Sequence, residues 1–293
     1  MRILFFVLIM MASIQALGDR VIHKEKSLYR NIQVKESSSR RCLVFAVRRG
    51  DRNQTCINLR HPDRVVFPYA RMTFAGLLLN SEPESILIVG LGGGTIPTIL
   101  SQLYPETIIH IVEIDAAVAR VAKEYFDFVE TGNVKVFVQD ARVNIKRAKL
   151  KKLKYDMVIL DAFTGDYIPE HLMTVEFLQE IKSILTADGV LVANTFSTSK
   201  LYDHESVTYQ KVYGEFFNFK MPITGNRVIV ASLEPLPNNK LLKDRANQLA
   251  GKLTKYAINI DDFPKYMKTS TDWDQGARPL TDQFSPANLL QAR

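Results

Sequence analysis

Residues 85–95 read SILIVGLGGGT. A short apolar run that ends on glycines is typical of a buried strand followed by a tight turn. Glycine lets the backbone bend sharply and approach a ligand, because no Cβ stands in the way. In parallel α/β sheets such a turn leads into a helix and borders the ligand site. The stretch therefore predicts the first strand and the binding loop of a parallel sheet.

Apolar runs of the same kind recur along the chain at residues 108–113, 134–138, 155–161 and 189–194. Strands that are apolar on both faces belong inside a parallel sheet. Between them lie helix-length segments with apolar residues three or four positions apart, such as 116–128 and 174–185. The order βαβα predicts an α/β protein with a doubly wound, mostly parallel sheet of the seven-stranded type, to which residues 228–231 add a late strand.

Changes in composition and in the pattern of apolar residues divide the chain into four predicted parts. Residues 1–18 are a candidate signal peptide, and residues 19–66 mix apolar and polar positions at period two, as in a small β-rich domain. Residues 67–236 hold the α/β pattern. Residues 237–293 contain one predicted helix, from Leu241 to Leu253, and an irregular tail.

Composition excludes several protein classes. The 293 residues are 46% hydrophobic and 24% charged, which argues against a disordered, fibrous or multi-spanning membrane chain. The net charge of +7 is a mild excess, and the basic run 146–154 is more typical of a solvated helix face than of a nucleic-acid contact. No Cys-x-x-Cys or His-Glu-x-x-His motif is present. We expect neither a nucleic-acid partner nor a metal site.

The N-terminus has the features of an export signal. Arg2 precedes an apolar run, residues 3–11, and small residues follow up to Gly18. The run is shorter than the roughly 20 residues that span a bilayer, which favours a cleaved signal peptide and an exported protein. The alternative is an uncleaved N-terminal membrane anchor.

The two cysteines flank a predicted hairpin. Cys42 precedes an apolar stretch, a polar turn follows near Arg49, and Cys56 lies on the returning strand. A disulfide across the two strands is sterically possible, and two unpaired thiols in the core are the alternative.

Carboxylates follow the second and third predicted strands at their carboxyl ends, where ligands bind in such sheets. Glu113 lies 23 residues after Gly90, as an acidic residue that accepts the hydroxyls of a ribose would. Asp140 and the backbone amide of Ala141 suit an adenine edge. The loop spacing does not match a dinucleotide fingerprint, so a nucleoside with a sulfonium fits better than NAD. A tight turn with unrelated surface acids is the alternative for these features.

Asp161 ends the fourth predicted strand. A carboxylate at this place could orient or deprotonate an amine nucleophile, or stabilise a cationic centre. Alternatively, it caps the next helix or holds the loop.

Together these residues resemble the spermidine synthase (polyamine aminopropyltransferase) family and its methyltransferase-like relatives, which share the class I S-adenosylmethionine-binding fold. The similar segments, between about Tyr29 and Ser232, are Phe67-Pro68-Tyr69, Gly90 to Gly94, Val112 to Asp115, Gln139-Asp140-Ala141, and Tyr155-Asp156 leading to Asp161.

The resemblance implies a role for each matching residue. Glu113 would hold the ribose, Asp140 the adenine and Asp161 the attacking amine. The binding loop contributes Gly90, Gly92 and Gly94, and Gln54 would lie near the nucleoside. Tyr69 would face the substrate, and Asp166 and Glu170 could substitute for the acceptor-binding carboxylates that are missing.

Departures from the family pattern leave the reaction open. Gly93 stands where an aspartate usually holds the aminopropyl nitrogen of the donor, Ala162-Phe163-Thr164 replaces Ser-Ser-Asp, and residues 222–225 lack the expected tyrosine. His171 is a candidate acid or base in this loop, although a lone loop histidine is more often structural.

We therefore predict a transferase that uses S-adenosylmethionine or its decarboxylated form as co-substrate and an amine or polyamine as acceptor, with a homodimer as a possible assembly. Aminopropyl and methyl transfer are nearly equally favoured. The alternatives are a methyltransferase acting on a protein or small amine, and a non-catalytic exported protein that binds a nucleoside.

Overall fold

Two β-sheets organise the chain in the computed structural model, which describes residues 19–47, 50–164 and 167–284. The smaller sheet is antiparallel, and its strands follow one another in chain order: β1 (Arg20–Lys26), β2 (Asn31–Glu36), β3 (Arg40–Val47) and β4 (Gly50–Asn58). Ile32, Val34 and Leu43 are fully buried on one face of this sheet, against Val118 and Val121. The period-two pattern in residues 19–66 thus reflects the two faces of an antiparallel sheet, and the opposite face is buried as well where Cys42, Val44 and Cys56 pack against Val66 and Phe67.

The larger sheet has eight strands in the described residues, in the order β12-β10-β11-β9-β8-β5-β6-β7. They are β5 (Ser85–Val89), β6 (Ile108–Glu113), β7 (Val134–Val138), β8 (Tyr155–Leu160), β9 (Leu185–Phe196), β10 (Phe217–Phe219), β11 (Asn226–Ser232) and β12 (Met267–Lys268). Strands β5 to β9 pair in parallel, whereas β10, β11 and β12 join antiparallel. The predicted α/β class is confirmed, and the two-residue β12 extends the predicted seven-stranded type.

Seven α-helices are present in the described ranges: α1 (Pro68–Met72), α2 (Thr95–Leu103), α3 (Ala116–Tyr125), α4 (Ala141–Leu150), α5 (Val175–Ile184), α6 (Tyr202–Tyr213) and α7 (Asn239–Leu253). Short 3-10 helices cover Thr73–Leu78, Glu170–Leu172, Thr254–Tyr256 and Ile260–Lys265. The side chains of Asp115, Asp140 and Thr174 accept backbone N–H groups at the starts of α3, α4 and α5. The helices begin at these residues because the capping side chains accept backbone N–H groups that would otherwise have no hydrogen-bond partner.

The central sheet has an apolar core on each face. Ile86 and Ile88 of β5 point to one core, whereas Leu87 and Val89 point to the other. Strand β7 differs from its predicted interior position, because it forms the edge of the sheet and Val138 is 51% exposed.

Strand order places the binding cleft. The chain continues from β5 to β6 and β7 on one side, whereas β8 lies on the other side of β5. The connections that follow β5 and β8 therefore run to opposite sides of the sheet. Between them, a crevice opens at the carboxyl ends of β5, β6 and β8.

Cys42 and Cys56 form a disulfide between β3 and β4, which answers the alternative left open by the sequence. The two residues are directly opposite in the antiparallel register, with a Cα–Cα distance of 4.0 Å. The turn expected near Arg49 lies outside the described residues.

Candidate functional site

A cavity of about 240 Å³ lies at the carboxyl ends of β5, β6 and β8. The β3–β4 hairpin and the loop between β1 and β2 contribute one wall, and the segment after β8 contributes another. Of the residues that the sequence singled out, those in the cavity wall are Gln54, Tyr69, Gly90, Gly92, Glu113, Asp140, Ala141 and Asp161. Side chains that are far apart in sequence thus converge on one hollow.

The glycine loop has backbone angles that require glycine. Gly90 has φ +98°, and a Cβ at this position would lie 2.3 Å from the carbonyl oxygen of Asp161. Gly94 has φ +80° and immediately precedes α2, but it packs against the ring of Phe128 and does not line the cavity. Gly90 therefore allows β5 and β8 to lie close at the site, while Gly94 shapes the helix start.

Glu113 is almost completely buried at the end of β6. Its Oε2 accepts the backbone N–H of Leu91 at 3.1 Å, and its Oε1 accepts that of Asp115 at 3.0 Å. Burial raises the pKa of this carboxyl group, and the two backbone donors act in the opposite direction. Each carboxylate oxygen has a second lone pair, so Glu113 can bind the glycine loop and two hydroxyl groups of a ligand together.

Asp140 serves two neighbours. Its Oδ1 accepts the N–H of Val143 as the cap of α4, and its Oδ2 lies 3.0 Å from Nε2 of His171. His171 belongs to the cavity wall, on the 3-10 helix after β8. The lone histidine of this loop therefore has a defined partner at the predicted adenine edge.

Asp161 immediately follows β8, and its backbone N–H donates to the carbonyl of Val89 at 2.8 Å. Its Oδ1 accepts Nδ2 of Asn194 at 2.8 Å. Burial raises the pKa of the Asp161 carboxyl from its usual 3.8 to about 7, although the Asn194 hydrogen bond lowers it. A carboxyl group with a pKa near 7 can both accept and release a proton at neutral pH. The alternative role as a helix cap does not apply, since Thr174 caps the next α-helix.

Tyr69 stands on the same cavity. Its hydroxyl donates to the backbone carbonyl of Gln54 at 3.0 Å, so its oxygen lone pairs remain available. Burial and the nearby charge of Asp161 raise the pKa of Tyr69 well above its usual value. Tyr69 therefore stays a neutral hydroxyl group at physiological pH.

Thr55 and Arg30, two of the polar residues in the cavity wall, were missed by the sequence analysis. Thr55 accepts the backbone N–H of Gly93 through Oγ1 at 2.9 Å, and Arg30 donates to the carbonyl of Phe163 at 3.2 Å. Arg30 also lies 3.5 Å from the carboxylate of Asp115. They fasten the N-terminal sheet to the glycine loop and to the segment after β8. An arginine in a short turn carries no spacing signal, so sequence alone offers no means to find it.

Asp166 is the one predicted site residue that lies outside the described residues. Among residues 19–47, 50–164 and 167–284, no group of three histidine, cysteine or acidic side chains could hold a metal ion. The described site therefore combines two carboxylates suited to a nucleoside with a third, Asp161, that faces the same hollow. Such a site can hold a nucleoside and a basic group side by side.

The chain is similar in sequence to several known proteins. The family model "Spermine/spermidine synthase domain" matches residues 67–226. A polyamine aminopropyltransferase of Vibrio vulnificus is 54% identical over 292 residues, which are 99% of this chain and 98% of that protein. The eEF1A lysine and N-terminal methyltransferase of Bos taurus is 34% identical over 135 residues, which are 41% of this chain and 19% of that protein.

Among solved structures, a probable spermidine synthase from Corynebacterium glutamicum has a TM-score of 0.66 and 20% identity, and the match covers 88% of this chain and 99% of that chain. At this identity the likeness establishes the fold, a class I methyltransferase-like sheet with a small N-terminal antiparallel β domain.

The predicted export of the protein is wrong, as is its alternative of an N-terminal membrane anchor. The finding that overturns it is the match along 99% of the chain to the polyamine aminopropyltransferase of Vibrio vulnificus. An apolar run followed by small residues is too weak a signal to outweigh a match of this length. Residues 1–18 lie outside the described residues. In the described part of the chain, no helix is both long and apolar enough to span a bilayer.

The family domain covers more than half of the chain, and the Vibrio vulnificus relative is similar along nearly all of it. The chain belongs to the spermine/spermidine synthase family, and it is a spermidine synthase-like transferase.

Proposed function

We propose that the protein transfers an aminopropyl group from decarboxylated S-adenosylmethionine to an amine of a polyamine. The observation that carries the proposal is the convergence of Glu113, Asp140 and Asp161 on one cavity, in a chain that is 54% identical to a polyamine aminopropyltransferase. Three acidic groups around one hollow suit a cationic donor and a cationic acceptor.

In this proposal the donor binds along β5, β6 and α4. Glu113 accepts the two ribose hydroxyls, and Asp140 with the N–H of Ala141 binds the adenine edge. Gly90 and Gly92 let the backbone approach the nucleoside, since both have positive φ. Gln54 lies on the opposite wall, where it can cover the nucleoside.

The reaction needs positioning more than covalent help from the protein. The attacking amine nitrogen forms a bond to the propyl carbon attached to sulfur while the carbon–sulfur bond breaks, and the thioether nucleoside leaves. The sulfonium is already a good leaving group, so alignment of nitrogen, carbon and sulfur supplies much of the rate. The nitrogen must also lose a proton.

Asp161 is the group best suited to bind the amine and take its proton. Its pKa of about 7 lies close to physiological pH, where a carboxylate base combines adequate basicity with a useful ionised fraction. Tyr69 has its proton engaged with Gln54, so its oxygen can accept a second N–H of the same amine. Asp166 remains a candidate for the distal ammonium group of the acceptor.

Methyl transfer from S-adenosylmethionine is the second candidate, and one observation favours it. A Cβ on Gly93 would lie 2.8 Å from the Thr55 methyl group and 3.1 Å from the ring of Phe126. The site therefore leaves no room for the aspartate that usually holds the donor's aminopropyl nitrogen. The segment 34% identical to a lysine methyltransferase agrees with this alternative.

A direct test offers each donor separately, with putrescine as acceptor, and identifies products by mass spectrometry. Spermidine and 5′-methylthioadenosine from the decarboxylated donor support aminopropyl transfer. N-Methylputrescine and S-adenosylhomocysteine from the other donor would contradict it and favour methyl transfer. Asp161→Asn serves as the control for background reaction.

Donor binding is tested by calorimetry with 5′-methylthioadenosine. Glu113→Ala should weaken binding about 10- to 100-fold, because two hydrogen bonds to a charged group are lost and the loop N–H of Leu91 loses its acceptor. Unchanged affinity would contradict the assigned ribose site. The predicted homodimer is tested by sedimentation of the same sample.

A further inference from the structure

A chain of side-chain hydrogen bonds reaches Asp161 from the turn that precedes β11. The hydroxyl of Thr224 donates to Oδ1 of Asn226 at 2.8 Å, and Nδ2 of Asn226 donates to Oδ1 of Asn194 at 3.0 Å. Nδ2 of Asn194 then donates to Oδ1 of Asp161 at 2.8 Å. This turn is the one in which the tyrosine expected from the family is missing. Its polar residues contact the site through this chain instead.

The Asp161 carboxylate fixes the direction of every hydrogen bond in this series. An ionised carboxylate can only accept, so Asn194 must turn its NH₂ group toward Asp161 and its carbonyl oxygen toward Asn226. Asn226 must then present its own NH₂ group to Asn194. An amide flip at either asparagine would place two donors or two acceptors face to face.

The two asparagines lie on rigid supports. Asn194 is 2% exposed and belongs to β9, whereas Asn226 begins β11, and these strands pair antiparallel along seven residue pairs from Asn226–Phe196 to Ser232–Val190. A side chain held by buried strands on both sides keeps one rotamer better than a side chain on a loop. Asn194 can therefore set the position of the Asp161 carboxylate more firmly than the segment after β8 could alone.

The two carboxylate oxygens of Asp161 differ in their hydrogen bonds. Oδ1 accepts the hydrogen bond from Asn194, whereas Oδ2 has no hydrogen-bond partner among the described residues. Asp161 lines the cavity together with Tyr69. An amine in the cavity thus meets one carboxylate oxygen whose lone pairs are not otherwise used.

We propose that Asn194, held in turn by Asn226, is a positioning residue that aims the free oxygen of Asp161 at the attacking amine. The inference rests on the proposed role of Asp161 and holds for either transferred group. Asn194 itself does not line the cavity, so its effect passes through Asp161.

The same hydrogen bond affects the protonation of Asp161. Burial raises the pKa of Asp161, and the donated N–H of Asn194 opposes that rise. The other titratable or charged groups in the cavity wall are Tyr29 and Arg30 of the β1–β2 loop, Tyr69 of α1, Glu113 at β6, Asp140 before α4 and His171. None of these contacts Asn194 in the described structure, so removal of Asn194 should raise the pKa of Asp161 selectively.

The test compares the pH dependence of kcat in the wild type, Asn194→Ala and Asn226→Ala, using whichever donor gives turnover. In Asn194→Ala, we expect the acid limb of the profile to move up by about one pH unit. At pH values below this limb, kcat of the variant should be about 10-fold lower than that of the wild type. At high pH it should approach the wild-type value. Asn226→Ala should show a smaller shift in the same direction. The KM for the donor should change less than about twofold, because Glu113 and Asp140 are untouched.

Asn218→Ala is the matched control. Asn218 is also 2% exposed and donates to Tyr202 and Asp272 at 2.9 Å, but it lies outside the cavity. It should lower stability without moving the limb. A uniform loss of kcat at every pH in Asn194→Ala, with an unmoved limb, would show a merely structural role and overturn the proposal.

A second measurement does not depend on turnover. Carboxyl ¹³C NMR of aspartate-labelled protein, with Asp161→Asn to assign the signal, reports the pKa of Asp161 directly. An upward shift in Asn194→Ala, or in Asn226→Ala should the first variant not fold, supports the proposal even if the donor assignment fails. An unchanged Asp161 titration in a folded variant contradicts it.

Discussion

Asp161 shows what a single residue costs and contributes in this protein. A carboxyl group in a mostly apolar wall resists ionisation, and the same resistance makes it an effective base near neutral pH. In the folded state its pKa is raised from 3.8 to about 7. Since the group is ionised in the unfolded chain at lower pH than in the folded one, it destabilises the fold as pH rises from about 4 to about 7. Above that range the cost is constant.

Asp161→Asn should therefore trade activity for stability. The amide can still accept the Asn194 hydrogen bond but cannot take a proton, so we expect kcat to fall about 1,000-fold or more. The free energy of unfolding should rise by on the order of 1 kcal/mol or more at pH 8, with little gain at pH 4. Denaturant titrations at both pH values test this. A variant less stable than wild type at pH 8 would contradict the assigned pKa direction.

Single residues differ in how visible they are from sequence. Glu113 and Asp140 could be predicted because strand ends and spacing place them at the sheet edge. Asn194 also ends an apolar run, yet a buried asparagine has no motif that announces its partner. Arg30 and Thr55 act across the gap between two sheets, and no local pattern encodes that contact.

At the scale of elements, the glycine loop is the tightest part of the site. The loop connects β5 to α2, and Gly90 brings it against the backbone of Asp161 at the end of β8. These backbone atoms cannot move aside for a larger residue at position 90 as the end of a flexible side chain could.

We expect Gly90→Ala to lower the free energy of unfolding by about 2 kcal/mol or more and to abolish donor binding, because the methyl group meets backbone atoms and φ is positive. Gly251→Ala is the matched control. This glycine lies in α7 with no atom within 4 Å of an added Cβ, so alanine should stabilise by about 0.5–1 kcal/mol. Chemical denaturation and calorimetry with 5′-methylthioadenosine test both variants. Normal donor affinity in Gly90→Ala would refute the assigned loop geometry.

The β3–β4 hairpin carries the disulfide beside the site. Cys56 lines the cavity next to Thr55, which holds the N–H of Gly93. The bridge closes a loop with a sequence separation of 14, for which chain entropy gives roughly 3 kcal/mol.

Cys42→Ala with Cys56→Ala should lower stability by about 2–4 kcal/mol and weaken donor binding, since the hairpin that holds Gly93 becomes less ordered. Thermal unfolding and donor titration of the double variant measure the two effects. The wild type treated with reductant provides the comparison without substitution. Equal stability and affinity in both oxidation states would show that the bridge has no role in the site.

At the scale of the whole molecule, distant segments hold the loop that follows β8. Tyr167 donates its hydroxyl to Glu205, and Glu205 forms a fully buried ion pair with Arg227 at 2.9 Å. The C-terminal segment adds Leu280, which is 0% exposed among Met173 and Leu201. The cavity wall thus depends on packing from the far end of the chain.

Leu280→Ala should lower the free energy of unfolding by about 2–4 kcal/mol, as for other fully buried leucines, and raise the donor KM because the loop bearing His171 loosens. Leu241→Ala, at a position 40% exposed on α7, is the control and should change stability by less than about 1 kcal/mol. Thermal melts and steady-state kinetics distinguish the two. A stable Leu280→Ala variant with wild-type KM would disprove the support from the tail.

The sequence by itself determined the α/β class, the succession of strands and helices along the chain and the three carboxylates at the strand ends, because strand periodicity and the geometry of parallel sheets are local and general. It also led to the mistaken prediction of export. Residues 1–18 share a charged start, an apolar run and small residues with signal peptides, and this pattern alone does not show that a segment directs export.

Tertiary structure decided the rest. The disulfide, the pairing of Asp140 with His171, the hydrogen bonds of Arg30 and Thr55, and the Asn226–Asn194–Asp161 hydrogen bonds all join residues from separate elements. Such contacts depend on how elements pack, and packing is set by the sum of many weak interactions along the whole chain, not by any single segment.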